Sequence, residues 1–203
     1  MIEINAYLSE SASAQPVIRC FQKREFLPMI ETLFWRVHSG MVRNVTLGED
    51  GSFITLGIWN TGDIVGQPLS TIRPYQIECL SDTEVHRVQA NVDFSVETWV
   101  WANLHQSQVF LVMNNGPVEL RVKRLVLWMA RKFGTASEDV TSIPHCLTHQ
   151  DIAETIGSTR VTVTRTIGQL ERAGMISWSR KECLLHHNQL HHQRPAVWRL
   201  PPP

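Results

Sequence analysis

The stretch Leu147–Ile176, LTHQDIAETIGSTRVTVTRTIGQLERAGMI, governs the reading of the whole chain. Thr148 and Asp151 stand three apart, as an N-cap and its N3 acid do, so a helix is expected to start there. Ile152, Ala153 and Ile156 give it one apolar face, and Gly157 permits a sharp turn. Ser158 or Thr159 can cap a second helix, in which Val163, Ile167 and Leu170 fall at i, i+4 and i+7. Gly174 is expected to stop it. Two helices joined by a short glycine-containing turn form a helix-turn-helix, which lays the first turns of its second helix in the DNA major groove. The face opposite the core carries Arg160, Val161, Thr164 and Arg165. Either arginine can reach guanine O6 and N7 or a phosphate, and Val161 can touch a thymine methyl. Thr159 and Thr162 suit phosphate contacts at the positive end of the helix dipole, and Ser158, Thr148 and Gln150 are taken with them as DNA-side candidates. The competing reading is a helical hairpin whose arginines are merely solvated.

Beyond this stretch, Ile176–His187 (ISWSRKECLLHH) reads as two short strands with Arg180 and Lys181 in the turn. That is either a basic wing, with Lys181 on the DNA backbone, or a solvated turn. The tail carries His186, His187, His191 and His192. His187 and His191 would share a metal only on a helix, and Arg194, Pro195 and the terminal prolines oppose one, so a loose tail and no metal are expected.

Toward the N-terminus, Val118, Val122, Leu125, Val126, Met129 and Phe133 follow helical spacing up to Gly134, expected to end that helix as a C-terminal cap. Asn114-Asn115-Gly116-Pro117 breaks the pattern and is read as a hinge. Residues ~92–113 read as one long helix. Val100, Leu104 and Leu111 on it suit a helix–helix seam between two copies, or packing on the chain's own barrel. From Phe21 to Val88 the period is that of strands: LFWRVHSG, MVRNVTL, SFITLGIW, IVGQPL, YQIECL and EVHRV, cut by Gly/Asp turns. An all-β barrel or jelly roll is expected, with residues 1–20 peripheral.

The formal net charge is zero, but it is unevenly spread. Residues 1–117 hold 7 Lys/Arg against 12 Asp/Glu, and residues 118–203 hold 12 against 7, so an acidic half is joined to a basic one. A hydrophobic content of 43% excludes disorder. No apolar run reaches membrane-spanning length, and the start lacks a signal-peptide pattern, so a cytoplasmic protein is expected. Cys20, Cys79, Cys146 and Cys183 form no metal-binding pair and are read as free thiols.

The string IAETIGSTRVTVTR (residues 152–165) resembles the Crp/Fnr superfamily of transcription regulators, its cyanobacterial global nitrogen regulator type in particular. Upstream, Ser39-Gly40, Gly62-Asp63-Ile64-Val65-Gly66 and Arg121 fall in the same order as in that family. The resemblance implies an α+β protein: residues 1–91 a cyclic-nucleotide-binding-like β jelly roll, 92–116 a long dimerisation helix and hinge, 117–187 a winged helix-turn-helix, and 188–203 a tail. It also implies a homodimer on a palindromic operator, with half-sites resembling GTA and an inverted TAC, and contact with RNA polymerase.

Departures limit what carries over. Cyclic-nucleotide binders of the family follow the barrel turn with Gly-Glu and later Arg-Ser or Arg-Thr. Here Gly66 precedes Gln67-Pro68 and Arg73 precedes Pro74, so control by cyclic AMP is not expected. The effector stays unknown: Arg73 either holds a small anion or is a structural arginine. No cofactor and no catalysis are expected. A cupin-type enzyme would need converging histidines, and the barrel segment has only His38 and His86, far apart in the chain. A redox-switched regulator using Cys20 or Cys79 is the remaining alternative.

Overall fold

The computed structural model describes residues 16–90, 93, 95–144, 147–179 and 182–187. They fall into two compact units, Met1–Asn44 with Ile58–Ala102, and Val45–Gly57 with Asn103–Pro203. The architecture is α+β, as expected: strands first, a long helix, then a small helical domain with its own sheet.

The strands are β1 (Arg19–Phe21), β2 (Phe34–Ser39), β3 (Met41–Leu47), β4 (Phe53–Asn60), β5 (Ile64–Gly66), β6 (Gln76–Cys79) and β7 (Thr83–Val88). They form two sheets, ordered β1-β7-β2-β5 and β4-β3-β6. Alternation drives the packing. In β2, Trp35 and Val37 point inward and Val37 faces Val85 of β7, so both strands bury one face. Leu27, Val42, Ile58, Val65 and Ile77 complete this core. Burying each such side chain contributes about 1.5–3 kcal/mol.

Two details differ from the sequence reading. Arg19 and Cys20, expected to be weakly ordered or peripheral, belong to β1, an ordered strand at the sheet edge that pairs antiparallel with β7. The expected strand IVGQPL stops at Gly66, and Gln67–Leu69 is a 3-10 turn, since Pro68 has no N–H for a ladder. The unit also buries an Arg43–Glu78 ion pair with no sequence signature, joined from the surface by Arg24. Glu78 accepts from Arg43 Nε and Nη2 at 2.7 and 2.6 Å through one oxygen, and from Arg24 Nη1 at 2.9 Å through the other.

Helix α1 runs Val96–Met113, starting later than the expected residue 92. Near its start the Trp99 indole donates to the Ile64 carbonyl at 3.1 Å. In the second unit its Phe110 lies edge-on to Trp128 (5.6 Å between ring centroids), and Trp128 edge-on to Phe133 (5.3 Å). Lys132 spans both rings and donates to the buried Gln106 amide oxygen at 3.2 Å. The break at 114–117 is held by Arg124, whose guanidinium donates to the Asn115 carbonyl at 2.6 Å.

Then follow α2 (Val118–Phe133), β8 (Thr135–Ala136), β9 (Val140–Pro144), α3 (His149–Ile156), α4 (Arg160–Arg172), β10 (Ile176–Trp178) and β11 (Glu182–His186). The expected face of α2 is buried at Val122, Leu125, Val126 and Met129. Gly134 is the C-cap of this helix, as expected, its N–H bonded to the Ala130 carbonyl, but not in the left-handed form usual for a capping glycine. Its backbone is extended (φ −81°, ψ 151°), and a Cβ there would stand 2.5 Å from Thr141 Cγ2 and closer still to the Ala130 carbonyl. The strands form one sheet, β10-β11-β9-β8, of which only β10 and β11 were foreseen.

The turn between α3 and α4 is the joint of this unit. Gly157 is left-handed (φ 61°, ψ 57°), a conformation that favours glycine. Arg121 on α2 donates to the Ile156 and Gly157 carbonyls, the latter at 3.1 Å. It thereby satisfies carbonyls that the end of α3 leaves without helical partners, and its charge complements the negative pole of that helix. Arg121→Met keeps the aliphatic stem and removes the donors. Urea denaturation is expected to show a loss of about 1.5–3 kcal/mol, and an unchanged midpoint and slope would contradict the role given to these bonds.

Candidate nucleic-acid interface

The two helices of the 147–176 stretch form from local signals. Thr148 and Asp151 make a full capping box: the Asp151 N–H donates to Thr148 Oγ1 at 3.2 Å, and the Thr148 N–H to Asp151 Oδ2 at 2.6 Å. Thr159, not Ser158, caps α4, its oxygen accepting from the Thr162 N–H at 3.2 Å. Ile152, Ala153 and Ile156 of α3 and Val163, Ile167 and Leu170 of α4 are buried as expected, and Thr166 is buried with them. This rotation of α4 turns Arg160, Val161, Thr164 and Arg165 outward, where all four line one shallow concavity.

Val161 is 69% exposed. An aliphatic side chain left that wet gains nothing from folding. Among the described residues, neither the Arg160 nor the Arg165 guanidinium is hydrogen-bonded or ion-paired, so both keep their donors. The Thr164 hydroxyl is engaged. It donates to the Arg160 carbonyl at 2.9 Å and lies 2.9 Å from Nδ1 of His149, so its methyl is the free part.

The flanking candidates divide. The Thr159 and Thr162 hydroxyls meet each other at 2.9 Å beside the helix start. The Thr148 hydroxyl donates to Asp151 at 2.8 Å within the cap, and its side chain serves the fold. Gln150 is exposed and donates to Glu154 at 2.8 Å. Ser158 is half-buried in the turn, its backbone N–H bonded to the Ala153 carbonyl. Strands β10 and β11 pair antiparallel from Ile176↔Leu185 to Trp178↔Cys183, as a wing requires. Its tip, Arg180 and Lys181, lies outside the described residues, as do Cys146, His191 and His192.

His149 was missed at the sequence level. It opens α3, its ring lies 5.6 Å from that of Trp178 in the wing, and its Nδ1 meets Thr164. Burial, and then the charge of Arg160, push its imidazole below the ordinary histidine value, while Glu171 pulls the other way. A lone polar residue at the first helical position gives no periodic signal, and only the fold brings the wing strand against it.

The other candidates sit apart from this surface. Val100, Leu104 and Leu111 of α1 are 47, 44 and 75% exposed and share one side of the helix with the exposed Val96. Arg73 is exposed and donates through one nitrogen to the Ser70 and Ile72 carbonyls of its own loop, at 2.7 and 2.8 Å, which fits a structural arginine. His38 and His86 are neighbours in space, ring centroids 6.3 Å apart, despite their distance in the chain. Among the described residues no three His, Cys, Asp or Glu side chains group to hold a metal. Burial pushes the Cys79 thiol up to about 11, making it a poor redox nucleophile, whereas Cys20 is exposed. No helix among the described residues is long and apolar enough to cross a membrane.

Comparison with known proteins agrees with this geometry. The description of a Crp-like helix-turn-helix domain matches residues 120–192. The chain is 37% identical over 159 residues to the regulatory protein CysR of Synechococcus elongatus, covering 76% of each chain. It is 45% identical over 67 residues to the global nitrogen regulator of a Synechocystis strain, covering 33% of this chain and 30% of that one. In fold it is similar to a transcriptional regulator of the CRP/FNR family from Thermus thermophilus, with a TM-score of 0.67 and 21% identity over 88% of this chain and all of the other. A jelly roll of the cyclic-nucleotide-binding kind, a long helix and a helix-turn-helix, together with these relatives, place this chain in the Crp/Fnr family of transcription regulators.

Proposed function

We propose that this regulator binds a palindromic operator as a homodimer in the cytoplasm, each copy laying the start of α4 in one major-groove half-site. Arg160 and Arg165 take guanine edges, Val161 and the methyl of Thr164 take thymine methyls, and Thr159, Thr162 and Ser158 take phosphates at the positive end of the helix. Gln150 and the wing's Lys181 extend the backbone contacts, with Thr148 the cap that holds α3 among them. One observation carries the reading. Two unpaired guanidiniums and a wet valine share a single concavity on the face of α4 opposite its buried side. Half-sites of the form GTA and inverted TAC would then lie one helical turn apart, about 34 Å.

Dimerisation runs through the apolar stripe of α1. At about 100° per residue, Val96, Val100, Leu104 and Leu111 fall on one side of the helix, where a second copy would cover them. Residues 1–91 act as the sensor-like domain, 92–116 as the dimer helix and hinge, and 117–187 as the reader. The sensor is not tuned to cyclic AMP: the turn at Gln67–Leu69 and the Arg73 bonds to its own loop occupy the segment that would have to cradle a cyclic phosphate. RNA polymerase is the further partner that the family implies. The CysR relative and the other regulators support a regulator without catalysis.

Arg165→Ala should weaken binding to the GTA/TAC duplex by about 1–3 kcal/mol and binding to random DNA by less, measured by fluorescence anisotropy at fixed salt. Equal losses on both would mean that Arg165 only holds phosphate. Changing Leu104 and Leu111 together to Lys should yield monomers in sedimentation velocity, and dimers of unchanged stability would refute the α1 seam.

A further inference from the structure

We propose that His149 is an additional member of the DNA-reading surface, holding the Thr164 side chain in place and coupling DNA binding to uptake of a proton. This rests on α4 lying in the groove as described above.

The hydrogen bonding fixes the ring. A threonine hydroxyl has one proton. When Thr164 gives it to the Arg160 carbonyl, its oxygen accepts from Nδ1 of His149, so satisfying both contacts at once calls for the tautomer with its hydrogen on Nδ1. In that tautomer the ring takes up its second proton at Nε2. Trp178 lies against the ring at 56° between planes, and the Trp178 N–H is in turn held by Glu171 at 2.9 Å, so the imidazole is clamped between α4 and the wing. Among the described residues, the charged groups facing it are Arg160 and Glu171, both from α4.

That environment is set to change when DNA arrives. Burial and Arg160 both disfavour the imidazolium in the free protein. Phosphates beside α4 bring negative potential, and Arg160, once paired with DNA, no longer repels a second cation. Both changes favour protonation, so the ring binds its proton more tightly in the complex than in the free protein. By linkage, affinity must rise as pH falls through the window between the two values and be flat on either side of it. The gain reaches up to about tenfold for each pH unit by which DNA raises the midpoint of the ring.

The test uses the full-length chain and two duplexes, one carrying the GTA/TAC half-sites and one of random sequence, with anisotropy measured from about pH 5.5 to about pH 8, the range a histidine spans. His149→Asn keeps an N–H donor near the Nδ1 position and removes the titration. The expected result is affinity that falls several-fold across the range for the parent chain and is nearly level for the variant. The His149 ring proton, followed by NMR, should titrate at higher pH with DNA bound than without. An equal pH slope in parent and variant, or a ring midpoint that DNA leaves unchanged or lowers, overturns the proposal. Loss of preference for the half-site duplex at every pH would instead bring down the placement of α4 itself, and this inference with it.

Discussion

The reading surface depends on one set of hydrogen bonds, from the Arg121 guanidinium to the carbonyls that end α3. Helix ends leave carbonyls unpaired, and in a turn as tight as that at Gly157 the backbone cannot satisfy them alone. A guanidinium reaching across from α2 does so with charge-assisted bonds, tying α2 to the end of α3 and to the turn that leads into α4. The buried sides of α3 and α4 then fix how far α4 is rotated. That rotation decides which four side chains face outward. The outward face of α4 follows from a bond that none of its four residues makes.

The barrel unit answers a different demand. Its core is aliphatic and aromatic, yet it encloses Glu78 between Arg43 and Arg24. Removing such charges from water costs several kcal/mol per ion, and the geometry returns much of it through three short bonds. An ion pair so placed tolerates few alternative registers of β3 against β6, because any slip would strand a buried charge. The cluster specifies the sheet more than it stabilises it.

How much of this was legible in the sequence follows from how local each signal is. The capping box at Thr148, the turn at Gly157 and the buried triplet of α4 are contained within a few residues each, so pattern alone placed them. Most barrel strands alternate clearly between glycine turns and were legible too. What was not legible depended on distant neighbours. Strand β9 reads VTSIP and buries Thr141, a polar residue whose hydroxyl meets His187 Nε2 at 2.8 Å, so no apolar alternation marked it. Gly134 is the cap its position suggests, but that its lack of a side chain also answers the close approach of Thr141 was not legible. The Arg43–Glu78 pair and the contact of His149 with Trp178 join residues that nothing in the local sequence connects.

The double tether on Thr164 has a thermodynamic corollary. A surface threonine ordinarily samples several rotamers, and docking against a base edge would have to select one. Here the selection is made when the domain folds, because the carbonyl of Arg160 and the ring of His149 both hold the hydroxyl. The entropy of choosing that rotamer is therefore charged to folding and not to association. In the proposed complex the methyl would then meet the groove as a rigid feature of the surface, with no ordering left to do on binding.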